Sequence, residues 1–128
     1  MKKDIETSED VTLLVETFYT GILQDELLAP VFIQQNFNLE AHLPVMVSFW
    51  EGILLDIHNY KGNPVRVHQQ MNAISPLLPQ HFERWLSVWS TTANSLFAGV
   101  TTELAVARAK SIAAIMDAKI NATKLPLT

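Results

Sequence analysis

Cysteine is absent from this chain. That excludes disulfide scaffolds, thiolate nucleophiles, iron–sulfur clusters and cysteine-ligated metals. It is compatible with a reducing compartment, and the expected location is the cytoplasm. Basic runs are lacking too. With 9 Lys and Arg against 13 Asp and Glu, the net charge is -4. No nucleic-acid partner is expected, since phosphates require clustered cations. No run of about 18 apolar residues occurs, so no segment is expected to span a membrane. Met1-Lys2-Lys3-Asp4-Ile5-Glu6 leads into acids rather than an apolar stretch, so no signal peptide is expected. Glycine is scarce, at 4 residues, and no phosphate loop, dinucleotide fingerprint or Gly-x-Ser-x-Gly elbow is found.

What the chain does have is apolar periodicity. Its 128 residues are 48% hydrophobic and 9% aromatic, enough for a core without a disulfide or structural metal. One domain over residues 1–128 is expected, with its core at about 5–122 and a frayed tail at 123–128. Thr7 or Ser8 caps a first helix, with Glu9 and Asp10 in its first turn. Val11, Leu14, Val15, Phe18, Tyr19, Ile22 and Leu23 follow at helical spacing. That helix stops before Pro30, with a possible break at Gly21, and a loop holds Val31, Phe32 and Phe37. Asn38 caps a second helix bearing Val45, Met46, Phe49, Trp50, Ile53 and Leu54, which starts late or kinks at Pro44. After the breakers of 58–64, a short helix carries His68, and 72–79 reads as irregular. Two long helices close the chain. One begins near Gln80 and presents Phe82, Trp85, Leu86, Trp89, Ala93, Leu96 and Phe97. The other begins near Thr101 or Thr102 and presents Leu104, Ile112, Ile115, Met116 and Ile120, with Gly99 at the break. The class is all-α. The stretches 29–38 and 58–79 are long for bundle loops and imply a less regular packing.

Few residues in this pattern carry chemistry. The histidines at 42, 58, 68 and 81 form no i, i+4 pair, so a zinc site is weakly supported. There are no paired Glu-x-x-His motifs for a di-iron bundle. His58 and His81 read as surface positions. His68 stands apart, on a short segment between long helices from which it can point inward and ligate a metal. Tyr19, His42 and Trp85 lie on otherwise apolar helices and can each donate a hydrogen bond. One axial imidazole opposite several donors in an apolar slot suits haem better than a bare ion. Phe32, Phe49, Trp50 and Phe82 could wall the slot, and Arg66 and Tyr60 could meet its carboxylates. Each residue also has a structural explanation. His42, Arg66 and His68 could be solvated, and Tyr19, Trp85 and Trp89 could be ordinary core.

The order of these pieces resembles the truncated haemoglobins, group III. The matching segments are Phe18-Tyr19, Leu28-Ala29-Pro30-Val31-Phe32, and His42 followed by Phe49-Trp50-Glu51-Gly52. Tyr60-Lys61-Gly62-Asn63-Pro64 with His68, and His81-Phe82-Glu83-Arg84-Trp85-Leu86, complete the set. The resemblance runs from about residue 5 to 120. It implies a two-over-two helical sandwich around haem b (iron protoporphyrin IX), with His68 as proximal ligand. It places Tyr19, His42 and Trp85 on the distal side, with Met46 one turn after His42 and Phe32 packed on the haem. The glycine pairs of other truncated haemoglobins are missing here, as in group III.

The expected function is binding of O2, NO and CO at a His-ligated iron. Two strong donors would hold O2 too tightly for transport, so NO dioxygenase-like or peroxidase-like chemistry is expected instead, with a separate reductase as possible partner. A monomer or weak dimer is expected. The competing reading is a cofactor-free helical interaction module with Tyr19 and Trp85 in a plain core.

Overall fold

A computed structural model describes residues 1–121 of the chain; the tail expected at 123–128 lies outside the described residues. Six helices follow in order: α1 (Ser8–Ile22), α2 (Ala29–Gln34), α3 (Leu39–Leu54), α4 (Pro64–Ile74), α5 (Pro79–Leu96) and α6 (Val100–Asn121). No strand occurs among the described residues. The pair α1–α3 packs across the pair α5–α6 chiefly through α1 on α5, while α4 lies against α6. This is the two-over-two arrangement expected.

Local chemistry sets each helix start. The Thr7 hydroxyl accepts from the Asp10 amide at 3.2 Å, and the Asp10 carboxylate accepts from the amides of Glu6 and Thr7 at 2.9 and 3.1 Å. This reciprocal box satisfies donors the first turn leaves free. Asn38 and Asn63 cap α3 and α4 through the amides of Ala41 and Arg66. The Asp25 carboxylate accepts from Leu27 and Leu28, both at 3.0 Å, just before α2.

Three sequence expectations need correction. Residues 29–34 are a helix rather than a loop. Pro30 falls in the first turn of that helix, where its missing N–H has no partner to lose. Of the two outcomes expected at Pro44, the late start is overturned, since α3 begins at Leu39 and runs through it. The apolar face of α6 is also different. Thr102, Ala105, Ala109, Ala113, Met116 and Ile120 are buried, whereas Ile115 is exposed. Small side chains let α5 come close, and Trp89 uses that space to donate its indole N–H to the Ala105 carbonyl at 3.1 Å.

The core has two parts. The larger holds Val11, Leu14, Val15, Phe18, Trp50, Trp89 and Phe97. The smaller holds Val31, Leu77, Phe82, Ala113, Met116 and Ile120. Trp85 and Ile112 pack against both.

The N-terminal segment locks the α5–α6 corner. Gly99 takes φ +143°, and a Cβ there would strike Asp4. The Asp4 carboxylate accepts from the amides of Thr101 and Thr102, both at 2.9 Å, and from the Thr102 hydroxyl at 2.8 Å. Burial opposes its charge, but these bonds and one from the Ile5 amide outweigh burial and pull the carboxyl down to about 2. Its folded value lies below the unfolded one. The stabilisation is therefore present above the usual carboxylate range and lost as pH falls through about 2. Asp4→Ala should cost about 1–2 kcal/mol at neutral pH, measured by urea unfolding. The deficit should shrink in acid, and an equal deficit at every pH would assign the loss to packing.

Candidate functional site

The site begins with an asparagine–proline helix start. Asn63 caps α4 and Pro64 opens it, which puts the Pro64 carbonyl one turn below His68. The His68 Nδ1 lies 2.7 Å from that oxygen and is the donor, since a carbonyl only accepts. The tautomer is thereby fixed with Nε2 carrying the lone pair, and Nε2 has no protein partner among the described residues. Burial lowers the His68 pKa and outweighs the opposing bond to Pro64, so the ring is neutral at pH 7. A neutral imidazole oriented through its far nitrogen by a backbone carbonyl is what a metal ligand requires. Val65 and Met71, one turn to either side, pack against the smaller core.

A cleft of about 300 Å3 opens between α3, α4 and α6. Phe49, Ile53, Ile112, Ile115 and Met116 give it apolar walls, and Pro64, Arg108 and Ser111 complete the lining. Among the described residues no group of three His, Cys, Asp or Glu could hold a bare ion.

The opposite side is built by α1, the segment after α2, and α5. Asn36 takes φ 57°, and the Phe37 amide turns back to donate to the Phe32 carbonyl at 3.1 Å. The Phe37 ring thereby enters between Tyr19 and His42, stacked on Tyr19 at 5.5 Å and on His42 at 5.0 Å. Tyr19 also meets Phe18 and Phe32 edge-on. Burial pushes the Tyr19 phenol up, so it remains a protonated donor. The Trp85 ring meets Phe18 edge-on at 5.8 Å. Among the described residues neither the Tyr19 hydroxyl nor the Trp85 N–H has a hydrogen-bond partner, and neither is sealed from solvent-sized space.

The remaining sequence candidates fall in distinct places. His42 is exposed, its ring on Phe37. Phe32, Met46 and Phe49 are half-buried against the larger core. Phe82 is buried in the smaller core. Trp50 is buried and stacked on Trp89, so it stands within the core. Tyr60 is half-buried, edge-on to Phe49 at 5.2 Å, and Arg66 is exposed. His58 is exposed and pairs with Asp56, and half-buried His81 accepts from the Leu78 amide at 2.9 Å.

Two contributors were not singled out from the sequence. Phe37 sits in a non-periodic segment, and nothing local announces its stack. The Pro64 carbonyl could have been found, because a proline-opened helix places it four residues before His68.

Helix order, two-over-two packing and one inward histidine define the class: a truncated globin fold. No family model matches the chain. It is 28% identical over 118 residues to the group 3 truncated hemoglobin ctb of Campylobacter jejuni, covering 88% of this chain and 90% of that protein. The crystal structure of a group III truncated hemoglobin from Campylobacter jejuni superposes with a TM-score of 0.82 at 25% identity, covering 94% of this chain and 95% of the other. Sequence and fold thus bear out the likeness to group III truncated haemoglobins read from the residues.

The geometry makes one direct prediction. In the protein without added ligand, His68 should titrate below the usual histidine range and show the Nδ1–H tautomer in ring-nitrogen NMR. A raised pKa, or an Nε2–H tautomer, would remove it as a prepared ligand.

Proposed function

We propose that this protein binds haem b through His68 and uses the pocket opposite to hold O2, NO or CO. The observation that carries this reading is the His68–Pro64 bond, which aims a free Nε2 lone pair from a neutral, half-buried ring. The other residues fit the same group. Phe32, Met46, Phe49 and Phe82 would be its apolar walls, Trp50 would back them, and Arg66 would offer a cation for the carboxylates. The similarity to truncated hemoglobins supports the same conclusion and does not favour a cofactor-free module.

When bound, the haem would supply an iron centre with one open coordination position. The chain's own part is to orient and retain the ligand there. Tyr19 O–H and Trp85 N–H have no partner among the described residues, so a ligand that accepts from them displaces none of the protein bonds seen there. A hydrogen bond to a charged acceptor is worth about 1.5–3 kcal/mol. Two acting together slow escape by roughly 10²–10⁴-fold. Retention of that order suits NO dioxygenation or peroxide turnover better than O2 carriage. A reductase would serve the first of these. His42, exposed and stacked on Phe37, would control access rather than share the inner contacts.

Optical spectra test the cofactor. Wild-type protein should show an intense haem band that shifts with CO after reduction, and His68→Ala should lose it or change its ligation. Haem-reconstituted wild type without that band would overturn the reading. Tyr19→Phe should speed O2 release by about 10–100-fold in stopped-flow; an unchanged rate would remove Tyr19 from ligand retention.

A further inference from the structure

Three indole rings stand in file across the larger core. Trp85 is parallel to Trp89 within 8°, at 6.2 Å between centroids. Trp89 is stacked on Trp50 within 21°, at 4.3 Å. Phe49 then meets Trp50 at 5.5 Å and Tyr60 at 5.2 Å. The file starts at a residue of the proposed ligand pocket and ends at a half-buried phenol in the loop before α4. Packing alone would accept any apolar ring at these positions. Here every ring but Phe49 belongs to the two side-chain types that give up an electron most readily. Trp89, the middle member, is fully buried and pinned by its N–H bond to Ala105. Gly62 leaves room for the terminal hydroxyl, since a Cβ there would strike the Tyr60 oxygen.

We propose that the series Trp85–Trp89–Trp50–Tyr60 carries single electrons from the protein surface to the ligand pocket, making Tyr60 a surface oxidation site for phenolic reductants. This rests on the haem reading above, with hydrogen peroxide as the oxidant. Peroxide breaks its O–O bond and takes two electrons and two protons to give two waters. Each electron enters the pocket from Trp85, which is refilled by Trp89, then Trp50, then Tyr60 across Phe49. Oxidised Tyr60 releases its hydroxyl proton to water and becomes a neutral phenoxyl radical. A phenol at the surface returns a hydrogen atom to it. The net change per peroxide is two phenols converted to two phenoxyl radicals and two waters formed. Parallel rings in near contact couple well electronically, and protein burial shields the intermediate members from water.

The test uses haem-loaded protein, one equivalent of hydrogen peroxide and a nitroso spin trap, with adducts located by peptide mass spectrometry. Wild type should carry the adduct on Tyr60. Trp89→Phe keeps a ring in the stack but raises the oxidation barrier. It should lose the Tyr60 adduct and gain adducts on Trp85 or Tyr19. Tyr60→Phe should move the adduct to Trp50. Trp50→Phe provides a second interruption should Trp89→Phe fail to load haem, and should likewise lose the Tyr60 adduct. Wild-type adducts confined to Tyr19 and Trp85, or a Tyr60 adduct unchanged by interruption, would overturn the proposal and leave the haem reading intact. Wild type that shows no haem band before peroxide is added would overturn both.

Discussion

Trp89 is the contact on which the rest of the molecule depends. Its ring is almost wholly buried, stacks on Trp50 of α3 and meets Phe18 of α1 edge-on at 5.0 Å. Its N–H reaches across to a backbone carbonyl of α6. One side chain of α5 thus touches all three of the other long helices. Aromatic contacts add about 0.5–1.5 kcal/mol each beyond their buried area, and a buried indole donor without its acceptor would be penalised. The crossing of α1–α3 over α5–α6 is therefore fixed at its centre, and α4 is free to be held by its ends.

That freedom matters for the site. The described residues of α4 include no fully buried side chain. It is positioned by Asn63 at one end, by the Gln35 amide donating to the Met71 carbonyl at 2.9 Å, and by Asn72 accepting from the Leu77 amide at 2.8 Å. These polar ties, together with Val65 and Met71 against the smaller core, hold the helix that carries His68. A contrast stands across the pocket. Trp89 N–H is satisfied by the fold, whereas Trp85 N–H, four residues earlier on the same helix, is not. Tyr19 and Trp85 are only partly buried, so their donors can stay without a protein partner among the described residues and remain open to another acceptor.

Charge plays its part at the periphery. Asp4, Asp10 and Asp25 each hold a helix start or chain corner, and hydrogen bonds from backbone and neighbouring side chains keep all three ionised against burial. Arg84 reaches Asp25 at 2.8 Å and so joins the α1–α2 turn to the helix carrying Trp85. The cleft between α3, α4 and α6 is mostly apolar, with Arg108 the charged side chain in its lining.

Helix identity was legible from the chain because capping and periodicity are local. Thr7, Asn38 and Asn63 sit where short polar side chains can reach amides two or three residues ahead, and the caps follow. The ordered aromatic and histidine positions also carried the truncated-globin resemblance. Local rules misjudged α2, where a proline that usually ends a helix instead opens one. They misjudged the buried face of α6 as well, because a large-residue pattern does not show that alanines face a partner needing close approach. The Tyr19–Phe37–His42 stack was not legible, since it joins rings from three different segments, and the Trp85–Trp89 spacing on α5 gave no sign of the stack onto Trp50 of α3. The sequence by itself determined the helical segments other than α2 and which side chains can ligate or donate. Only the tertiary structure decided which of those side chains keep an unpaired atom, because pairing depends on neighbours that distant helices supply.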